Sequence, residues 1–316
     1  MIDLPDLASL ELPGPDGLNA DVTLQIYQAL RPLLPPAGPA PHHQTERLLD
    51  CLDAFDAFIL DGFGVINVGP EKISGIDEFF AAAHSKNKAV VILTNGASNP
   101  SDIVAQKYIN WGLPVTPDMV VSSRDVLVSF LPEPGQRTGL MQLDLATTAV
   151  AGLHQAGDTQ QEQFDQADGF VFLGSSQWTE QDQASFEASL ARHLRPVLVG
   201  NPDVSAPHLS QFSAEPGYWM ARAMQAVSGL RPQWFGKPHE HAFRLAVEQV
   251  NRLSSAPVSL PRIAMVGDSP HTDILGAQAF GLGTILVTSH GLLRDHDAVE
   301  VCRQTGIHPH WQVRFI

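Results

Sequence analysis

The stretch Phe58-Ile59-Leu60-Asp61-Gly62-Phe63-Gly64-Val65-Ile66 decides the fold. It opens with an apolar run that is typical of a buried strand, and it continues into a turn with two glycines. Asp61 is the first polar residue after the run, so the strand is expected to end there. The stretch therefore predicts a buried strand that presents one carboxylate at its carboxyl end, with Phe63 close behind it.

Strand and helix patterns alternate on both sides of this stretch. A helical pattern over 73–80 precedes a buried strand at 89–93, and the same order returns late in the chain, with strands at 262–267 and 284–287 around a helix at 274–280. Strands that alternate with helices form parallel sheets. The fold class is therefore predicted to be α/β, with a Rossmann-like parallel sheet.

Polar residues follow three of these predicted strands. Asp61, Thr94 and Asp268 each come directly after an apolar run, or close its end. In open parallel sheets, ligands bind outside the carboxyl ends of the strands. We therefore expect these three side chains to meet although they are distant in sequence.

The remaining segments divide the chain into predicted domains. Residues 1–43 are predicted to be a helical appendage over Ala20 to Leu34 followed by a stiff, proline-rich linker. Residues 44–134 and 233–316 are predicted to form the core. Residues 135–232 carry further strand patterns and a helical pattern, and they are long enough to be an inserted α/β domain.

Composition restricts the class of partner. The chain has 316 residues and a formal charge of −15, with 19 Lys+Arg. Nucleic-acid backbones and anionic membranes require a cationic surface, so neither is an expected partner. A small anionic ligand would instead need local positive charge, which draws attention to Lys237 in the Gly236-Lys237-Pro238 loop. The two cysteines lack metal-ligand spacing, no apolar run is long enough to span a membrane, and we expect a cytoplasmic protein.

Four short segments occur in a characteristic order. They are Asp61-Gly62-Phe63-Gly64-Val65, Leu93-Thr94-Asn95-Gly96, Gly236-Lys237-Pro238 and Gly267-Asp268-Ser269-Pro270-His271-Thr272-Asp273. Together they resemble the haloacid dehalogenase-like (HAD) phosphohydrolase superfamily. They resemble most closely its branch with a large α/β cap, which includes nitrophenyl, pyridoxal and sugar phosphatases. The resemblance covers about residues 50–316, and it implies a HAD core with the insert as its cap.

The resemblance implies a role for each segment. Asp61 would attack phosphorus and form an acyl phosphate, and Lys237 would neutralise the transferring group. Mg²⁺ would be the cofactor, because it prefers oxygen ligands. Asp273 is expected either to assist this metal through a water molecule or to orient Lys237. The implied metal ligands are Asp61, the backbone carbonyl of Phe63, Asp268 and Asp273. The implied phosphate-binding residues are Gly62, Phe63, Thr94, Asn95 and Lys237. Of these, Thr94 and Asn95 are expected at the start of a helix.

Phe63 departs from the family pattern. At this position the family carries a second Asp, which protonates the leaving oxygen and later deprotonates the attacking water. Phenylalanine does neither, so a Mg²⁺-dependent phosphohydrolase with slow or specialised turnover is our first hypothesis. A non-catalytic protein that binds or senses a phosphorylated metabolite is the second. A role in partner binding for the proline-rich N-terminus is the third.

Other residues extend these hypotheses. His271, His239 and His241 lie near the motifs and are candidates to replace the missing acid, although such histidines are commonly solvated or capping. Asn201, Asp203 and His208 are candidates for reading the organic part of the substrate. Tyr218 and Trp219 either narrow the pocket or belong to the cap core. The partner is expected to be a small phosphorylated metabolite, and a homodimer through the cap is an open alternative.

Overall fold

A computed structural model describes residues 6–137, 139–144, 146–155, 161–208 and 211–316. Over these residues the strands are β1 His43–Arg47, β2 Ala57–Leu60, β3 Asn67–Val68, β4 Glu71–Lys72, β5 Ala89–Thr94, β6 Val120–Ser122, β7 Leu140–Leu143, β8 His154–Gln155, β9 Gly169–Phe172, β10 Val197–Val199, β11 Ser205–Pro207, β12 Phe212–Ala214, β13 Gln233–Trp234, β14 Ile263–Gly267, β15 Gly283–Val287 and β16 Trp311–Phe315. The α-helices are α1 Ala20–Leu30, α2 Ile76–Ser85, α3 Ser101–Asn110, α4 Ser123–Phe130, α5 Gln161–Gln166, α6 Glu180–Arg192, α7 Pro216–Ala226, α8 Glu240–Leu253, α9 Leu275–Phe280 and α10 Ala298–Thr305.

Two parallel sheets organise the chain. The larger has seven strands in the order β1-β16-β15-β14-β2-β5-β6, and every neighbouring pair in it is parallel. The smaller has five strands in the order β13-β10-β9-β7-β8, again all parallel. The predicted α/β class with a Rossmann-like parallel sheet is confirmed. Strands β7 to β12 fall within 135–232, whereas β13 (Gln233–Trp234) lies just beyond that range. The domain boundaries themselves stay a prediction.

Apolar side chains cover both faces of the larger sheet. Phe58 and Leu60 of β2 face one cluster with α2, while Ala57 and Ile59 face the opposite cluster with α8. Because β2 is buried on both faces, it reads as a continuous apolar run, as strands of parallel sheets do. This burial fixes the position of Asp61 at the end of β2.

The N-terminal segment is not a free appendage. Ile26 and Tyr27 of α1 are buried in the core of the smaller sheet's domain, whereas Ala20 packs into a cluster formed with α9 and α10. The helix ends at Leu30, and a short 3₁₀ turn, Arg31–Leu33, replaces the last turn that the sequence predicts. The α1 helix therefore lies between the two domains.

Among the residues that the structure describes, no helix has both the length and the apolar character needed to cross a membrane.

Candidate active site

Two strand ends and one helical turn bring the predicted acidic residues together. Asp61 follows β2 and Asp268 follows β14, and these two strands are neighbours in the larger sheet. Asp273 lies in a single π-helical turn, Pro270–Ile274, that opens α9. Carboxylate oxygens of Asp61, Asp268 and Asp273 all lie within 4.8 Å of one another.

Lys237 supplies the positive charge in this cluster. Its Nζ lies 2.6 Å from Asp61 Oδ1 and 2.6 Å from Asp273 Oδ1, and the residue is only 1% exposed. Asp273 is held in turn by the backbone N–H of Ser269, which donates to Oδ2 at 3.0 Å. The predicted orientation of Lys237 by Asp273 agrees with this geometry.

Two glycines allow the chain to approach Asp268 closely. Gly64 and Gly291 both have positive φ, and a Cβ at either position would overlap the carboxyl group of Asp268. The backbone N–H of Leu292 also donates to Asp268 Oδ2 at 2.6 Å. The two loops therefore fix this carboxylate from both sides, and any side chain beyond hydrogen at 64 or 291 would displace it.

Burial dominates the electrostatics of the cluster. It raises the pKa of Asp61 to about 7, although Lys237 opposes the shift, and it raises the pKa of Asp268 with the charges of Asp273 and Asp61 adding to the effect. Burial lowers the pKa of Lys237, but the surrounding carboxylates raise it by more, so the ammonium form is retained. One lysine thus faces several buried carboxylates, an arrangement that a divalent cation would stabilise.

Comparison with known protein families places the chain in one of them. The model of the haloacid dehalogenase-like hydrolases matches residues 58–151, and a HAD-hydrolase-like model matches residues 234–311. The chain belongs to the haloacid dehalogenase-like hydrolase superfamily. The two matches contain β2 with Asp61, the Lys237 loop and β14 with Asp268, and they leave out the N-terminal segment and most of the insert.

Individual relatives agree with this placement in the HAD superfamily. The chain is 26% identical to a dihydroxyacetone phosphatase of Corynebacterium glutamicum over 74% of its own length and 81% of the relative. It is 26% identical to an acid sugar phosphatase of Staphylococcus aureus over 74% of its length and 86% of the relative. A solved structure described as a possible sugar phosphatase from Cytophaga hutchinsonii superposes with a TM-score of 0.74 at 25% identity, covering 86% of this chain and 98% of that one. The predicted cap-containing HAD hydrolase is therefore confirmed.

Phe63 lies at the mouth of this HAD site, on the side of the inserted cap. Its ring is half-buried and meets the ring of His208 edge-on, with the centroids 5.7 Å apart. Phe63, Asp61 and Asp203 line one small cavity. The residue therefore occupies the space between the nucleophile candidate and the cap with an apolar group.

Asn95 has other partners than a phosphate. Its Nδ2 donates to Asp203 Oδ1 at 2.8 Å and to the carbonyl of Lys237 at 2.9 Å, while its Oδ1 accepts from the N–H of Lys237 at 2.7 Å. The predicted placement of Thr94 and Asn95 at the start of a helix is wrong, because the chain continues as a loop and α3 begins only at Ser101. Asn95 thus joins the lysine loop to the cap, and its contact with phosphate stays a prediction.

Thr94 is more exposed than its neighbour Asn95. It is only half-buried, and its side-chain oxygen accepts from the N–H of Gly96 at 3.1 Å. The same oxygen lies beside Gly62, 3.6 Å from the point where a Cβ would stand. Its predicted role in phosphate binding stays a prediction, and this proximity to the Asp61 turn is compatible with it.

The three residues predicted to contact the organic part of the substrate lie in different surroundings. Asp203 lines the cavity with Asp61, and burial raises its pKa to about 6. Asn201 is buried within the cap, where it donates to Glu215 Oε2 at 3.0 Å, and it does not line this cavity. His208 contacts the ring of Phe63 and does not line this cavity. The geometry therefore favours Asp203 among the three.

The three histidines considered as replacements for the missing acid also differ in their packing partners and burial. His241 packs against Phe130 and His239 stacks on Trp234. His271 is fully buried, and burial lowers its pKa to about 3. A neutral ring with so low a pKa has little tendency to carry a proton at neutral pH, so His271 is not favoured as a general acid. His239 and His241 do not line the cavity with Asp61.

Sequence reasoning missed three residues near the site. Tyr108 of α3 is buried, and its hydroxyl lies 2.6 Å from the point where a Cβ on Gly62 would stand. Thr23 and Tyr27 of α1 line the cavity with Asp61. The helical spacing of Ala105 and Tyr108 was a signal for a buried face, whereas no local signal ties α1 to Asp61. Tyr218 and Trp219, for which the sequence left two options, are both buried in the cap core.

Proposed function

We propose that this chain is a Mg²⁺-dependent phosphohydrolase that acts on small phosphorylated metabolites through an aspartyl-phosphate at Asp61. The observation that carries the proposal is the pairing of Asp61 Oδ1 with Lys237 Nζ at 2.6 Å, beside the buried carboxylates of Asp268 and Asp273. Relatives named dihydroxyacetone phosphatase and acid sugar phosphatase support the substrate class.

The donor set fits Mg²⁺. Asp61, Asp268 and Asp273 offer clustered carboxylate oxygens, which are the ligands that this ion prefers, and the Phe63 carbonyl is proposed as a further ligand. The raised pKa values of Asp61 and Asp268 mark an excess of buried negative charge that a cation would relieve. When bound, the ion would supply positive charge to the transferring phosphoryl group.

The residues of the chain divide the chemistry. An oxygen of Asp61 attacks phosphorus, the bond from phosphorus to the leaving oxygen breaks, and the phosphoryl group becomes attached to Asp61. Lys237 favours the ionised form of Asp61 and offsets the charge of the transferred group. Water then cleaves the aspartyl-phosphate. Asp273 positions Lys237 through the 2.6 Å contact.

Phe63 determines which substrates react well. General acid–base assistance is typically worth roughly 10² to 10⁴ in rate, or about 3 to 5 kcal/mol of barrier. Without it, an alcohol leaving group departs slowly because it needs a proton, whereas a carboxylate or phenolate departs as a stable anion. The water step also lacks a base, so the aspartyl-phosphate is expected to accumulate.

The test is Mg²⁺-dependent phosphate release from an acyl phosphate, an aryl phosphate and a panel of sugar phosphates, with a chelated sample and Asp61→Asn as controls. We expect release from the first two and a covalent phosphoryl adduct on Asp61 in the mass spectrum of the quenched protein. Release that persists unchanged in Asp61→Asn would exclude Asp61 as the nucleophile.

Phe63 also favours a second candidate function. A site that binds phosphate but has no proton donor is suited to holding a phosphorylated metabolite without cleaving it. This alternative predicts a stoichiometric, Mg²⁺-dependent complex with a phosphorylated metabolite, no phosphate release from any compound, and no adduct on Asp61.

A further inference from the structure

The N-terminal helix α1 forms part of the wall of the active site. Thr23 and Tyr27 of this helix line the same cavity as Asp61, Phe63 and Asp203. The family matches begin only at residue 58, so this wall is an addition of this chain to the matched regions. A role for α1 at the site therefore has to be argued from its own contacts.

Contacts with the cap hold α1 on one side. Thr23 Oγ1 and Ser205 Oγ share a hydrogen bond of 2.8 Å, and the backbone N–H of Val204 donates to the Tyr27 hydroxyl at 3.1 Å. Both cap residues directly follow Asp203. The helix is thus attached to the loop that the cap places over the nucleophile candidate.

Contacts with the core hold α1 on the other side. The Tyr27 ring stacks on His271, with centroids 5.1 Å apart and an angle of 8° between the planes. His271 belongs to the turn that carries Asp273. Ala20 packs against the core cluster around α9 and α10. The aromatic ring of Tyr27 therefore stands between the metal-site loop and the cap loop.

More distant contacts fix the segment that precedes α1. The hydroxyl of Tyr218 donates to the carbonyl of Pro13 at 2.5 Å, and Gln225 Nε2 donates to the carbonyl of Leu10 at 2.8 Å. These bonds attach residues 6–17 to α7 of the cap. Withdrawal of Tyr27 from the cavity would break the buried contacts that α1 itself makes with the cap loop and with His271.

The space that remains beside Asp61 is small. The cavity has a volume of about 40 Å³, which is room for a few water molecules at most. Typical ligand sites have volumes of roughly 300 to 1,000 Å³. The carboxylates of Asp61 and Asp203 also line it, so an anionic organic group is disfavoured. Thr23 and Tyr27 of α1 therefore help to limit the space beside Asp61, which leaves little room for the organic part of a substrate.

We propose that α1, through Tyr27 and Thr23, restricts the substrates of this chain to small acyl phosphates. The inference rests on the proposed function, in which Phe63 already selects leaving groups that depart as stable anions. In the reaction Asp61 attacks phosphorus, the bond between phosphorus and the acyl oxygen breaks, and the electron pair leaves with the carboxylate, which needs no proton at neutral pH. Water then releases phosphate from Asp61 and passes its proton to solvent.

The experiment compares acetyl phosphate with benzoyl phosphate, because both release a carboxylate and they differ in size. We expect kcat/KM for acetyl phosphate to exceed that for benzoyl phosphate by at least about tenfold, and Tyr27→Ala to reduce this ratio about tenfold. Tyr27→Phe keeps the ring and should keep the ratio. Tyr218→Phe is the matched control, because it removes a bond to the same N-terminal segment at a residue that does not line the cavity, and it should also leave the ratio unchanged.

Equal kcat/KM for the two compounds in the unmodified chain, or a ratio unaffected by Tyr27→Ala, would overturn the proposal. If Tyr27→Ala does not fold, Thr23→Ala provides the second variant, and it should lower the ratio in the same direction. Binding of acetylphosphonate and benzoylphosphonate, measured by calorimetry, separates the two levels of inference. If neither acyl phosphate is turned over but acetylphosphonate binds more tightly than benzoylphosphonate, the proposed hydrolysis is refuted and the size selection is retained. If both acyl phosphates are turned over with equal kcat/KM and the two phosphonates bind equally, the size selection alone is refuted.

Discussion

Replacing Phe63 by aspartate is expected to restore general acid–base chemistry at the site. The side chain at this position lines the cavity with Asp61, so a carboxyl group there would lie beside the leaving oxygen. Assistance of this kind is worth roughly 10² to 10⁴ in rate. Because Phe63 is directed towards His208 of the cap, with ring centroids 5.7 Å apart, we expect the lower end of that range, about 10².

The gain should depend on the leaving group and on the kinetic constant. For a sugar phosphate, kcat/KM should rise about 10²-fold in Phe63→Asp, since the alcohol then receives a proton as the first bond breaks. For acetyl phosphate, kcat/KM should change little, because its carboxylate needs no proton. For both substrates kcat should rise, because the same carboxyl group activates the water that cleaves the aspartyl-phosphate.

Steady-state phosphate release gives these constants, and Phe63→Asn is the control, since it matches aspartate in size and cannot transfer a proton. The half-buried ring is lost in both variants, which should cost each about 1 to 2 kcal/mol of unfolding free energy. The reasoning is refuted if both variants fold and the sugar phosphate reacts equally with the two, or if acetyl phosphate gains as much in kcat/KM as the sugar phosphate.

Two further predictions concern buried charge. Lys237→Met should lower the unfolding free energy by about 3 to 5 kcal/mol, because it leaves buried carboxylates without their cation. Mg²⁺ should restore part of this loss, and denaturant unfolding with and without Mg²⁺ measures both effects. Equal stability of the variant and the parent in chelator would contradict the prediction. Burial lowers the pKa of His239 to about 4 from its usual 6.5, so its neutral form stabilises the fold fully above pH 6.5 and that contribution is lost as the pH falls towards 4. The ring is partly exposed, so we expect about 1 to 3 kcal/mol from this group. The unfolding free energy of His239→Gln should therefore fall less than that of the parent over this pH interval, and parallel curves would exclude the effect.

Much of the core could be predicted because its signals are local. A strand buried on both faces must be a continuous apolar run, so the ends of β2 and β14 are visible in the sequence, and with them Asp61 and Asp268. Strand neighbours in a parallel sheet then bring the two together. Lys237 was accessible for a different reason, since it is one of few lysines and lies between Gly and Pro in a loop.

Other features depend on partners that are distant in sequence. Asn95 looks like a helix cap, but its partners are Asp203 and Lys237, so its role follows from packing between loops. Tyr27 reads as one more position on an amphipathic helix, and only the assembled fold reveals that its ring reaches His271. The sequence states which residues of α1 are apolar, and it does not state which two surfaces they will cover.

The attachment of residues 6–30 to the cap has a consequence for how the chain folds. The bond between Pro13 and Tyr218 joins residues 205 positions apart, and the bond between Thr23 and Ser205 joins residues 182 positions apart. Contacts of such long sequence separation form late, because the entropy of closing the loop has to be overcome first. During synthesis residues 6–30 emerge before the cap residues that bind them, which in these two bonds follow 182 and 205 positions later in the chain. The apolar face of α1 must therefore remain without its native partner over this interval, which makes it the region where we expect chaperone binding or aggregation to begin.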